Sequence, residues 1–506
     1  MGISCWIAHK AVWSPDSVAV TDHDVPISYA AFEPRIAHLA GYLADELRVA
    51  EGERVAYLGG NRVEVLELLF ACARLGAIFV PLNARMTAVQ LAVMLDNADP
   101  VLLVHAGDFA ELARASTTEM PSVALVQLAD PVTGAGGLDT AKLVESSRRV
   151  GCNPNRDQRI PGLILYTSGT TGTPKGAVFT QDALTFTAIN SNNVWNMGAR
   201  DHVLTFLPMF HAGGLLIHTL PAMHIGAQVT ILGRPEPGEI LRRIGRDRAT
   251  LILAPPLFSQ QIIAHPDWAE TDLSELRCVG IGSTFVPPEV MKAWLDRDVP
   301  TQQNYGLTEG VPILAVPWAQ HKRKSDTAGT SVLYTQARVF DENLQRVPIG
   351  EPGEIMLRGR SLFSGYWRND AATEAGFVDG WFRTGDIAWV DDEGYFHIVD
   401  RKKNIVIVGS SNVYPADLEK IMTECPQISE GAVVGVPDGE IGEALAVCVI
   451  RKGAINEAEV RALFHGRLAA YQQPQHVLFF DEMPRTSLGK VQKVRLAEDA
   501  RAALGV

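Results

Sequence analysis

Between Arg54 and Ala106 the chain repeats one pattern. RVAYLGG reads as a strand, VEVLELLFACARLG carries apolar residues at helical spacing, and AIFVPL is a second strand. TAVQLAVMLDNA is then a second helix and PVLLVHA a third strand. Strand–helix–strand units of this kind join parallel neighbours and cover both faces of a sheet with helices. The pattern resumes after residue 160 in LILYT, HVLTFLP, QVTILG, ATLILAP and RCVGIG, short apolar runs that end in turn residues. The expected fold class is therefore α/β. A chain of 506 residues exceeds what one core serves. Two stretches read as joints: the polar, turn-rich SSRRVGCNPNRDQRIPG (146–162) and DRKKN (400–404). The predicted organisation is a large domain with several parallel sheets over 1–400 and a small α+β domain over 401–506. The small domain has strands of its own in GAVVGVP, ALAVCVI and HVLFF.

The formal net charge of −13 argues against a nucleic-acid or anionic-membrane partner, since both need a cationic face. The longest apolar stretch, LELLFACARLGAIFVPL, carries Arg74 and reads as a buried helix running into a strand, not as a membrane span. The six cysteines form no C-x-x-C pair and the histidines no paired ligand spacing. They read as buried thiols of a reducing compartment. The first residues lack the long apolar core of a signal peptide, and RAALGV is no peroxisomal or retention address. A cytoplasmic location is expected.

The segment YTSGTTGTPKG (166–176) follows the strand LILYT directly and precedes a strand-like AVFT. Its glycines permit close approach of backbone to a ligand, its hydroxyls and backbone N–H groups can bind phosphate oxygens, and Lys175 adds a point charge. A polyphosphate is the expected guest. The loop is not a Walker A sequence, because Lys175 follows Pro174 rather than glycine.

The same stretch resembles the phosphate loop of the adenylate-forming, AMP-binding superfamily, which includes acyl-CoA and aryl-CoA synthetases, peptide-synthetase adenylation domains and firefly-type luciferases. Further motifs fall in that family's order across nearly the whole chain: LPMFHAGG (207–214), NYGLTEG (304–310), GYWRND (365–370), WFRTGD (381–386), GYFHIVDRKK (394–403), NVYPADLE (412–419), GVPD (435–438) and PRTSLGK (484–490).

The resemblance implies an AMP-forming acid–thiol ligase. ATP and a carboxylic acid give an acyl-adenylate and pyrophosphate; a thiol, here expected to be that of coenzyme A, then displaces AMP. Thr167, Ser168, Gly169, Thr170, Thr171, Gly172 and Lys175 would wrap the β- and γ-phosphates. Tyr305 would stack on adenine, Asn304 and Gly306 would line its pocket, and Thr308 would hold the α-phosphate. Glu309 would ligate Mg2+, a hard cation suited to carboxylate and phosphate oxygens. Asp386 and Arg401 would take the ribose. His211, with Gly213 and Gly214, would border the acyl pocket. GIGSTF, through Gly282, Ser283 and Thr284, would form a second wall reaching the nucleotide. Lys490 would bridge carboxylate and α-phosphate, and with Thr167, Glu309 and His211 completes the expected catalytic set. The resemblance further implies that the small domain is mobile and rotates about a hinge at Lys403 between the two half-reactions.

Two departures concern the second nucleophile. Many relatives have Gly-Gly-Glu before the asparagine of NVYP; this chain has Gly409, Ser410 and Ser411, with Gly409 and Ser410 at the expected thiol channel. Many relatives that use CoA have a lysine after the tyrosine of a Y-K-x-P segment; here Tyr471 is followed by Gln472, Gln473 and Pro474. These changes leave open an acceptor other than CoA, such as a carrier-protein thiol, an amine or nitrite. A luciferase-like oxidoreductase and a non-catalytic nucleotide binder are the remaining alternatives.

Overall fold

The computed structural model describes residues 2–167, 174–233, 236–282, 286–408, 411–439, 441–485 and 489–506. The chain forms two compact units, Met1–Gln336 with Arg358–Gly380, and Ala337–Leu357 with Trp381–Val506.

The first unit is built on two large sheets. One has seven strands in the spatial order Gly365–Tyr366, Gly176–Thr180, Pro161–Tyr166, Ile78–Leu82, Arg54–Leu58, Leu102–His105 and Ala124–Gln127. From Pro161–Tyr166 to Ala124–Gln127 the neighbours run parallel. The alternation read between Arg54 and Ala106 is this parallel core, with helices Val63–Leu75 and Ala88–Ala98 as crossovers. Thr87 caps the second crossover in a capping box with Gln90, and Gly76 ends the first in the left-handed region at φ 77°. The other sheet has nine strands, with Cys278–Gly282 beside Thr301–Leu307 in parallel and Gly310–Ala315 returning antiparallel.

Arg74, the charge inside the longest apolar run, is 2% exposed. Its Nη2 lies 3.1 Å from Glu33 Oε1, and its Nη1 donates to the Val150 carbonyl at 3.0 Å. The contact with Glu33 is ionic rather than an aligned hydrogen bond, since Nη2 and Nε make none among the described residues.

The second unit contains a sheet whose strands include Trp381–Val390 and Phe396–Arg401, and a C-terminal sheet ordered Ser411–Val413, Val406–Val408, Gly442–Arg451, Ile428–Asp438. His476–Phe479 joins Gly442–Arg451 in parallel. Alternate residues of the long central pair serve opposite layers. Val433, Leu445, Val447 and Val449 pack with Leu418 of helix Pro415–Thr423, while Ala432, Val434, Ala446 and Cys448 pack with Leu496 and Ala500 of helix Lys493–Leu504. Burial on both faces is why GAVVGVP and ALAVCVI read as continuous apolar runs. Among the described residues no helix is long and apolar enough to cross a membrane.

Candidate functional site

The phosphate-loop candidate connects two antiparallel strands, with Tyr166 opposite Gly176 and the Thr167 N–H donating to the Lys175 carbonyl at 2.9 Å. Pairing at the base fixes where the loop leaves and re-enters the sheet. This is a hairpin, not the strand-to-helix turn of a Walker A loop. Ser168, Gly169, Thr170, Thr171 and Gly172 lie outside the described residues.

NYGLTEG also forms a hairpin. Thr301–Leu307 and Gly310–Ala315 pair with Leu307 opposite Gly310, and Thr308 and Glu309 are its tip. Glu309 is thus presented by a turn and not by the first turn of a helix. Asn304 is 9% exposed, and its Nδ2 has no hydrogen-bond partner among the described residues. An orphaned buried donor suits an acceptor on a nucleobase. Gly282 is its parallel register partner. A Cβ on Gly282 would stand 2.6 Å from the Asn304 carbonyl oxygen and 2.7 Å from its Oδ1, so only glycine leaves this asparagine in place. Ser283 and Thr284 lie outside the described residues. A Cβ on Gly306 would meet Val311 Cγ2 at 2.7 Å, so that glycine serves the turn of its own hairpin.

GYWRND, which carried no assigned side-chain role, closes this half of the site. Tyr366 donates its hydroxyl to Glu309 Oε1 at 2.6 Å, and Lys175 Nζ stands over its ring, 5.1 Å from the centroid. Lys175 and Glu309, far apart in sequence, are thereby brought to one aromatic ring. The Glu309 carboxylate, at the tip of a hairpin and held to the ring that also faces Lys175, fits Mg2+, which takes one or two carboxylates and completes its shell with substrate phosphates and water. Among the described residues no group of three or more His, Cys, Asp or Glu could hold a metal by protein ligands alone.

LPMFHAGG ends in a π-helical turn over Gly213–Ile217. Burial, reinforced by the Arg85 charge, pushes the His211 imidazole down to about 4, so the ring is neutral near pH 7 and suited to lining a pocket. It borders a small cavity with Pro81, Met86, Met94, Tyr166 and Phe210. The two glycines differ. A Cβ on Gly214 would lie 2.2 Å from the Pro208 carbonyl oxygen, whereas one on Gly213 would stand 3.8 Å from Leu253 Cδ2. Gly214 therefore seats the turn against backbone, and Gly213 faces ordinary space. Gly214→Ala is expected to destabilise the fold by about 1–3 kcal/mol, the usual range for overpacking, while Gly213→Ala leaves the melting temperature unchanged. Thermal denaturation of the two variants checks this.

The second unit gathers the remaining candidates. Asp386 and Arg401 are register partners on antiparallel strands, and Arg401 Nε lies 3.0 Å from Asp386 Oδ1. Asp386 is 5% exposed. Asp400 accepts hydrogen bonds from Asn404 Nδ2 at 2.9 Å and from the Ala416 N–H at 3.1 Å, tying the end of the strand to the next helix. Lys403 and Lys490 share this environment. Both are exposed at the surface, yet desolvation first, and the Arg401 charge second, push each ammonium down to about 8. Lys490 sits on a built loop: Arg485 and Val491 form a bridge, Arg485 Nη1 donates to the Gly489 carbonyl at 2.8 Å, and Gly489 takes φ 80°. Helix Lys493–Leu504 follows directly.

Gly409 and Ser410 lie outside the described residues. Gln472 and Gln473 are used by local structure. Gln472 Oε1 accepts from the Ala469 N–H at 3.1 Å, and Gln473 Nε2 donates to the Leu468 carbonyl at 2.9 Å.

Comparison with known proteins matches this arrangement. Residues 7–367 match the AMP-binding enzyme family, and residues 417–490 match the AMP-binding enzyme C-terminal domain. An indoleacetate–CoA ligase from Aromatoleum aromaticum is 39% identical over 97% of both chains. A feruloyl-CoA synthase from an Amycolatopsis species is 36% identical over 97% of this chain and 98% of its own. The crystal structure of ATP-bound MatB from Rhodopseudomonas palustris superposes with a TM-score of 0.91 at 28% identity, covering 99% of this chain and 100% of that one. With both parts matched in order, and with relatives aligned over nearly their full length, this chain is a member of the AMP-binding enzyme family, of the acyl-CoA synthetase kind.

Proposed function

We propose that this enzyme activates an aromatic or arylalkanoic acid with ATP and transfers the acyl group to coenzyme A. In the first step a carboxylate oxygen attacks the α-phosphorus and pyrophosphate leaves; in the second the thiol displaces AMP from the acyl-adenylate. The observation that carries this reading is the Lys175–Tyr366–Glu309 cluster, which joins the base of a phosphate-loop hairpin to the Glu309 carboxylate. The names of the relatives support CoA as acceptor and an aryl group on the acid.

Within this reading Lys175 and the 167–172 loop hold the outer phosphates. Asn304 Nδ2 donates to the nucleobase, and Tyr305 packs on it. Asp386 and Arg401 take the ribose hydroxyls. Mg2+ at Glu309 would neutralise charge on the polyphosphate. Lys490 supplies the ammonium that offsets charge developing between carboxylate and α-phosphate. Neutral His211 lines the acyl pocket. Lys403 marks the hinge, with functional domains divided at 400/401, and the enzyme acts in the cytoplasm.

Because Gln472 and Gln473 are uncharged and bonded to neighbouring backbone groups, neither offers a cation to a CoA phosphate, and the acceptor is worth direct measurement. AMP and pyrophosphate release are to be followed over a panel of aryl, arylalkanoic and aliphatic acids, with and without CoA. The expected result is pyrophosphate release limited to about one equivalent without CoA and multiple turnover with it. Full turnover without CoA would reassign the acceptor, and no pyrophosphate with any acid would overturn the activity.

A further inference from the structure

Tyr366 lies far in sequence from both the phosphate loop and Glu309, yet its segment is tied to each. Its backbone pairs antiparallel with the returning strand of the phosphate hairpin, Tyr366 opposite Ala177 and Gly365 opposite Val178. The Trp367 N–H donates to the Gly176 carbonyl at 2.8 Å, one residue from Lys175, and the Tyr366 N–H donates to Thr373 Oγ1 at 2.9 Å. Phe363 packs edge-on against its ring with centroids 4.9 Å apart, and the Phe363 N–H donates to the Glu309 carbonyl at 2.8 Å. One short segment therefore grips both the phosphate hairpin and the tip that carries Glu309.

We propose that Tyr366 is a positioning residue: its hydroxyl fixes the Glu309 carboxylate for a divalent cation, and its ring face seats Lys175 for the polyphosphate. The proposal rests on the functional reading above and adds a residue to it. The hydrogen bond from the phenol fixes the orientation of the carboxylate, and such supporting hydrogen bonds are typically worth 10–100-fold in metal affinity or activity. The ring contributes separately, because an ammonium over an aromatic face is attracted by the ring quadrupole. The two contributions can be separated by substitution. Tyr366→Phe keeps the ring and removes the hydroxyl; Tyr366→Leu removes both.

The test uses Mn2+ as the probe for the cation. Its binding is to be followed by electron paramagnetic resonance with the full-length enzyme and ATP present and no carboxylic acid, so that nothing turns over. Steady-state pyrophosphate release with Mg2+ and melting temperatures are measured alongside. Tyr366→Phe is expected to weaken Mn2+ binding about 10-fold and raise KM for Mg·ATP by a similar factor, with kcat and melting temperature close to wild type. Tyr366→Leu is expected to weaken binding of metal-free ATP as well, which Tyr366→Phe leaves intact. Tyr366→Phe indistinguishable from wild type in Mn2+ binding and KM overturns this inference and leaves the functional reading standing. So does a loss of kcat and melting temperature together with no change in Mn2+ affinity, which marks a merely structural residue. A wild type that takes up no Mn2+ in the presence of ATP overturns the functional reading and this inference with it.

Discussion

Replacing Lys490 by alanine is expected to slow pyrophosphate release by about two to three orders of magnitude, the cost typical of removing one preorganised donor from a developing charge. Transfer of the acyl group from a supplied acyl-adenylate to CoA should continue at close to the wild-type rate. Both half-reactions falling together would show that the lysine supports the fold rather than the first step. The geometry also sets a pH signature. Lys490 stays exposed at the surface but stands close to Arg401, Asp386, Lys493 and Asp400, and desolvation followed by the Arg401 charge pushes its ammonium down to about 8. In the free enzyme the charge is present below that value and lost above it. The kcat/KM of the first half-reaction is therefore expected to fall as pH rises through about 8. Lys490→Arg, whose guanidinium stays charged, should move that limb to higher pH even where its longer head lowers the maximum rate. Stability runs the other way. The folded state releases this proton near 8 and the unfolded state near 10.5, so wild-type stability rises across that interval. Lys490→Met, which carries no ammonium, should lack that contribution to the rise. Melting temperatures at pH 7 and pH 9.5 check it.

The second large effect lies in the core. Arg74→Met should destabilise the enzyme by about 3–5 kcal/mol, the range for removing one partner of a buried ion pair. The cost is not the lost attraction alone. Glu33 is 5% exposed, and removing Arg74 leaves that carboxylate with Arg149, a largely exposed partner, as its remaining ion pair. The Val150 carbonyl loses its donor as well. Adding Glu33→Gln to Arg74→Met should recover part of the loss, since the stranded charge goes with it. Urea denaturation of the two single variants and the double variant provides the cycle. A double variant no more stable than Arg74→Met would show that packing of the arginine stem, not the stranded carboxylate, carries the cost.

Much of this fold could be read before any coordinates. The parallel core announces itself in RVAYLGG, AIFVPL and PVLLVHA, because strands buried on both faces must be apolar throughout and the crossovers must carry helical spacing. The antiparallel edges were harder to see. Gly365–Tyr366 is two residues long and has no periodicity of its own, so its pairing with Gly176–Thr180 is invisible to local pattern. The compact units also differ in outline from the predicted domains. Arg358–Gly380 belongs with the first unit while Ala337–Leu357 belongs with the second, and nothing in composition marks a chain that leaves one unit and returns. Glu309 illustrates a local ambiguity: T-E-G suits a capped helix start as well as a hairpin tip, and the returning strand Gly310–Ala315 decides between them. Tyr366 was missed for a physical reason. Its importance comes from what it touches, and a tyrosine before a tryptophan reads as core. The one mark it leaves in the sequence is the preceding Gly365, which the structure shows at φ 148° and in close approach to Thr373.

The strand pairing between Gly365–Tyr366 and the arm of the phosphate hairpin has a practical corollary for protein engineers. Sequence exchange with a homologue cannot treat residues 161–180 and 363–367 as separate cassettes, although almost two hundred positions divide them. A hybrid that takes the two from different parents inherits a mismatched clasp, and crossover points belong outside both.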